Sequence, residues 1–106
     1  MRKTILLSLV VLSGLSAGAL AANHVIHQQG RVFSSESVTI KKGGALTFVN
    51  DDSIPHNIMS ATKGSEFNLG SQAPGTSTDV TFKEAGNVQV ICAIHPRMKM
   101  TVHVTD

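Results

Sequence analysis

From position 37 onward, apolar residues recur at every second place in short runs broken by Gly, Pro, Asn and Ser. In "SVTIKKGGALTFVN", Val38 and Ile40 share one face and Thr39 and Lys41 the other; Gly43-Gly44 supplies a turn, after which Leu46 and Phe48 resume the apolar face. "DVTF" (Val80, Phe82) leads through "KEAGN" into "VQVIC", where Val88, Val90 and Cys92 align. The closing "KMTVHV" turns Met100, Val102 and Val104 inward and Thr101 and His103 outward. Period-two alternation of this kind predicts half-buried strands. Residues 61–78 are polar and turn-rich, and read as a long connection with one short strand at Phe67 to Leu69. No segment carries a helical period. The pattern predicts an antiparallel all-β domain, a small Greek-key two-sheet β-sandwich, with a closed barrel as the alternative.

The N-terminus departs from this pattern. Two basic residues, Arg2 and Lys3, precede an apolar stretch diluted by Ser and Gly, which ends in Ala19-Leu20-Ala21. That arrangement predicts a secretory signal peptide over 1–21 and a single soluble domain over 22–106, exported to the periplasm. Removing the leader changes the charge. The whole chain has nine Lys and Arg against seven Asp and Glu; without Arg2 and Lys3 the balance is seven to seven. The basicity therefore belongs to the leader, and neither nucleic acid nor a membrane surface is expected as a partner. The chain has one cysteine, so no internal disulfide can staple a domain of this size, and a metal bound by the folded state is a candidate stabiliser.

That cysteine lies in "CAIHPRMKM". Cys92, His95 and Met98 follow the pattern C-x-x-H-x-x-M in a loop between two strands. Cys92 ends an inward alternation, two residues are enough for the chain to turn His95 back, and Pro96 fixes one backbone angle of the turn. A fourth ligand must come from His24, His27, His56 or His103. His103 alternates outward, His24 and His27 lie at the start of the mature chain, and His56 follows Pro55 in the loop after the strand ending at Val49. Zinc seldom takes methionine. Two imidazoles, a thiolate and a weak axial thioether suit copper that changes oxidation state. A cysteine nucleophile with a histidine base would need an exposed thiol in a cleft, which an inward-facing Cys92 does not offer. A free Ala22-Asn23-His24 terminus is a second copper-binding possibility, in keeping with a copper-delivery or copper-resistance role, unless residues 23–28 form the first strand.

With these residues in view, the chain resembles the cupredoxin family of type 1 copper proteins, closest in loop length to its amicyanin-like members, with pseudoazurin and plastocyanin as relatives. The resemblance rests on "SVTIKKGGALTFVNDDSIPHN" and "TFKEAGNVQVICAIHPRM". It implies copper ligands His56, Cys92, His95 and Met98, with Met100 as the competing axial residue. It also implies that Asn57 donates its backbone N–H to the cysteine sulfur and ties the two ligand loops together by its side chain. The expected function is single-electron transfer by a monomer without enzymatic activity, and the expected partners are a dehydrogenase or cytochrome docking at an apolar patch around His95. The chain departs from the family in having Ile94 where proline is common, and neither Tyr nor Trp. Ile94 restores a backbone N–H, which is expected to make a second bond to the sulfur.

Overall fold

The structure, a computed structural model, describes residues 24–106; the expected leader over 1–21 and the Ala22-Asn23 dipeptide lie outside the described residues. Eight strands follow one another: β1 (His24–Gln28), β2 (Ser37–Lys41), β3 (Ala45–Asn50), β4 (His56–Ser60), β5 (Phe67–Gln72), β6 (Ser77–Thr81), β7 (Gly86–Ile91) and β8 (Lys99–Thr105). They form a three-stranded sheet, β1-β3-β6, facing a five-stranded sheet, β2-β8-β7-β4-β5. The fold is thus an all-β sandwich rather than a closed barrel. Among sequence neighbours, only β4–β5 and β7–β8 pair directly; every other connection crosses between the sheets.

Alternation named most of the core, while Ile26 and Ile58 lie in strands it did not mark. Ile26, Leu46, Phe48 and Val80 project from the smaller sheet, and Ile40, Ile58, Val88, Val90, Met100, Val102 and Val104 from the larger one. Each large side chain so buried contributes about 1.5–3 kcal/mol through removal of apolar surface from water. Gly43 sits at φ 89°, and a Cβ on Gly44 would meet the Lys41 carbonyl oxygen at 2.9 Å, so this turn needs both glycines.

Two sequence expectations are corrected. The ladder is mixed rather than antiparallel, because β1 pairs β3 and β2 pairs β8 in parallel. The 61–78 connection holds a full six-residue strand, β5, and the start of β6. As an edge strand, β5 exposes most of its residues, so no apolar alternation marks it. A register shift between Asn57 and Met59 breaks the alternation of β4, leaving Ile58 fully buried and Met59 only half-buried.

Candidate metal centre

The sheet order brings the candidate ligands together. β4 runs antiparallel to β7, with Met59 opposite Ile91, so the first residue of β4 is level with the chain just beyond the end of β7. His56 is that first residue, rather than a loop residue, and Cys92 directly follows β7. The loop from Cys92 to Met98 closes on itself: the Cys92 N–H donates to the Met98 carbonyl at 3.1 Å, and the Met98 N–H to the His95 carbonyl at 2.9 Å. His95 is folded back over the end of the sandwich, half-buried, while Cys92, His56 and Met98 are fully buried.

Three donor atoms converge. The Cys92 Sγ lies 4.0 Å from the His56 Nδ1 and 3.8 Å from the His95 Nδ1, and the two nitrogens are 3.3 Å apart. The point equidistant from all three is about 2.2 Å from each, within the ~2.0–2.3 Å range of first-row metal bonds to nitrogen and sulfur. The donor set therefore fits a metal ion. Among the described residues this is the one such cluster of His, Cys, Asp or Glu. Met98 closes the loop and Met100 belongs to β8, opposite Val90; both are buried in the core.

Neighbouring groups hold the donors in place. The Asn57 N–H donates to the Cys92 Sγ at 3.3 Å. Its side-chain oxygen accepts from the Ala93 N–H at 3.2 Å, while its amide nitrogen donates to Asn68 Oδ1 and the Gly70 carbonyl, both at 2.9 Å. One residue thus joins β4, β5 and the Cys92 loop, as the family resemblance implied. Ile94 behaves otherwise than expected. Asn57 is the only backbone N–H among the described residues that donates to the sulfur, and the Ile94 side chain is exposed instead.

Sequence reading missed the groups that hold His56. Asp52 Oδ2 accepts from the His56 Nε2 at 2.7 Å, which puts the proton on that nitrogen and leaves Nδ1 free to face the sulfur. Partial burial pushes the Asp52 carboxyl up. The hydrogen bond from His56, those from the Gly30 and Arg31 N–H groups and the nearby His56 charge outweigh it, so the pKa is lowered. The Asp52 loop is shaped in turn by buried Asn50, whose Nδ2 donates to the Ile54 and Gln72 carbonyls and whose Oδ1 accepts from the Asp52 N–H. The polar run "NDDS" before Pro55-His56 was the available signal, since Asn and Asp side chains commonly bond to nearby backbone.

Comparison with known proteins agrees with this geometry. The profile of the copper binding proteins of the plastocyanin/azurin family matches residues 21–105. The chain belongs to that family. A relative, the methylamine utilization protein MauL of Methylorubrum extorquens, is 38% identical to this cupredoxin over 65 residues, 60% of this chain and 57% of MauL. The chain thus spans little more than half the length of that relative. A purple cupredoxin from Nitrosopumilus maritimus superposes with a TM-score of 0.68 at 26% identity, over 78% of this chain and 100% of that one. A reduced amicyanin variant, 22% identical, gives 0.72 over 84% and 88%. The copper nitrite reductase of Thermus scotoductus gives 0.73 at 23% identity, over 80% of this chain and only 23% of that one. The last two share the fold.

Proposed function

We infer that this cupredoxin is an exported electron carrier whose single type 1 copper is held by His56, Cys92, His95 and Met98. The observation that carries this reading is the convergence of the His56 Nδ1, the Cys92 Sγ and the His95 Nδ1 from two loops, at spacings that fit a single ion. A copper ion in such a set supplies one-electron chemistry by alternating between Cu(II) and Cu(I).

The chain's own residues would favour rapid exchange by bracing the donors. The Asn57 N–H and the bonds of the 92–98 loop hold the sulfur, and Asp52 holds the ring of His56, which would limit rearrangement when a bound copper changed oxidation state. Met98, which closes this loop, would be the fourth residue to hold the ion, while Met100, within β8, is paired with Val90. His95, the half-buried member of the set, would give an electron its way out to a partner.

The Cys92 thiol is fully buried, which supports a carrier over an enzyme that uses it as a nucleophile. Nitrite reduction is a property of the much larger reductase, of which this chain spans 23%. The leader over 1–21 supports export to the periplasm, and no helix among the described residues is long and apolar enough to cross a membrane. The likeness to a methylamine utilization protein supports a dehydrogenase or cytochrome as partner, docking near His95 to a monomeric carrier. A copper-delivery role through Ala22-Asn23-His24 is disfavoured because His24 is already paired with Leu46 in the β1–β3 register.

The test is an optical and EPR titration of the mature protein with Cu(II). One equivalent producing a single intense thiolate-to-copper absorption, lost in Cys92→Ser, is the expected outcome. A pale site, or one unaffected by Cys92→Ser, overturns the assignment.

A further inference from the structure

Beside His95 runs a groove of about 470 Å³, with one wall built by Gly30, Arg31 and Val32 and the other by residues 94–97. Val32 and Ile94 line it with exposed apolar surface, 54% and 50% accessible. The exposed Arg31 and Arg97 add a positive charge from each wall, and neither guanidinium has an ion-pair partner among the described residues. The nearby acids are spent or balanced. Asp51 pairs with His27, Asp52 accepts from Gly30, Arg31 and His56, and Glu36 shares a second hollow with both Arg97 and Lys99.

The first wall is rigid. Arg31 has a φ of 60°, a left-handed backbone uncommon for a residue with a side chain. It is held there by Asp52, whose Oδ1 accepts the Gly30 N–H at 2.7 Å and whose Oδ2 accepts the Arg31 N–H at 3.1 Å. On the other side the segment is anchored by Phe33, buried edge-on against Phe48 at 6.0 Å. A wall held in a costly conformation, with one charge and one apolar side chain presented outward, suits recognition better than core packing.

We propose that Arg31 selects the partner that docks at this face: a redox protein that inserts a protruding apolar element flanked by carboxylates between Arg31 and Arg97. The proposal rests on the electron-carrier reading and deepens it. Val32 and Ile94 supply the desolvated centre, and the two arginines supply orientation and rate of encounter.

The test uses the copper-loaded, reduced, ¹⁵N-labelled protein titrated at low ionic strength with a small c-type cytochrome whose haem edge is ringed by carboxylates, and separately with one ringed by lysines. Amide shifts clustered on Arg31, Val32, Ile94 and Arg97 with the acidic cytochrome alone are expected. Arg31→Asn, which keeps a residue tolerant of the left-handed backbone, should weaken binding about fivefold at low salt, Arg31→Lys should restore it, and Lys63→Gln should change nothing. Arg97→Gln gives an independent reading from the opposite wall, with the same loss expected. Equal binding by wild type, Arg31→Asn and Arg97→Gln, shifts on another face, or equal affinity for the lysine-ringed cytochrome overturns the proposal. The copper absorption of the same sample is a separate readout: an intense band with no docking refutes the groove alone, whereas its absence refutes the metal assignment.

Discussion

The two loops that form the metal centre are built differently. The 92–98 loop brings Cys92, His95 and Met98 to one end of the sandwich within seven residues and closes through its own backbone bonds. The 51–55 loop delivers one ligand, His56, and cannot hold it unaided. It depends on Asn50 beneath it, on Asp52 within it, and on the Gly30–Arg31 segment that shares the Asp52 carboxylate. A self-contained loop leaves its signature in the spacing of its residues. A loop braced by distant segments does not, and a fault in any brace reaches the metal.

The largest effect is expected in the self-contained loop. Cys92→Ser removes the thiolate and abolishes the intense absorption of the copper-loaded protein, while denaturant unfolding of the metal-free form changes little. Next comes the foundation of the braced loop. Asn50→Ala leaves the Asp52 N–H without its acceptor and takes a donor from the Ile54 and Gln72 carbonyls, and is expected to destabilise the fold by about 3 kcal/mol in urea titration.

Asp52→Asn sharpens the contrast. Three donors need acceptors from this carboxylate, and an amide offers one oxygen with an NH₂ in place of the other. Copper affinity should fall by about 10- to 100-fold in a competitive chelator titration. The same variant tests the pH behaviour of the metal-free protein. Folding lowers the Asp52 pKa from its ordinary 3.8, so the unfolded chain takes up the proton first. Stability from this group is therefore present above that value and lost as pH falls through the lower folded pKa, and Asp52→Asn should flatten this acid limb. The smallest effect is expected at Ile94. Its N–H does not reach the sulfur, so Ile94→Pro should leave the absorption maximum and reduction potential essentially unchanged, and a marked shift in either would show that this position does act on the thiolate.

Much of the site was legible because its chemistry is local. C-x-x-H-x-x-M after an apolar strand pointed to three candidate ligands, Pro55-His56-Asn57 supplied the fourth candidate through the family resemblance, and the fold brings His56, Cys92 and His95 together. What escaped was polar and long-range. The Asp52–His56 bond looks in sequence like two residues of an ordinary turn, and the Gly30–Arg31 wall lies more than twenty residues from the loop it supports.

The chain's order of apolar and polar residues determined which strand faces point inward, where the turns fall and which side chains offer a metal soft and borderline donors. Side-chain alternation reports a face because successive residues of a strand point to opposite sides. It is silent on the neighbouring strand and its direction, since those are settled by backbone hydrogen bonds that every residue can make. The parallel β1–β3 and β2–β8 pairs, the register shift in β4 and the alignment of His56 with Cys92 through the β4–β7 pairing were therefore decided only when the sheets assembled.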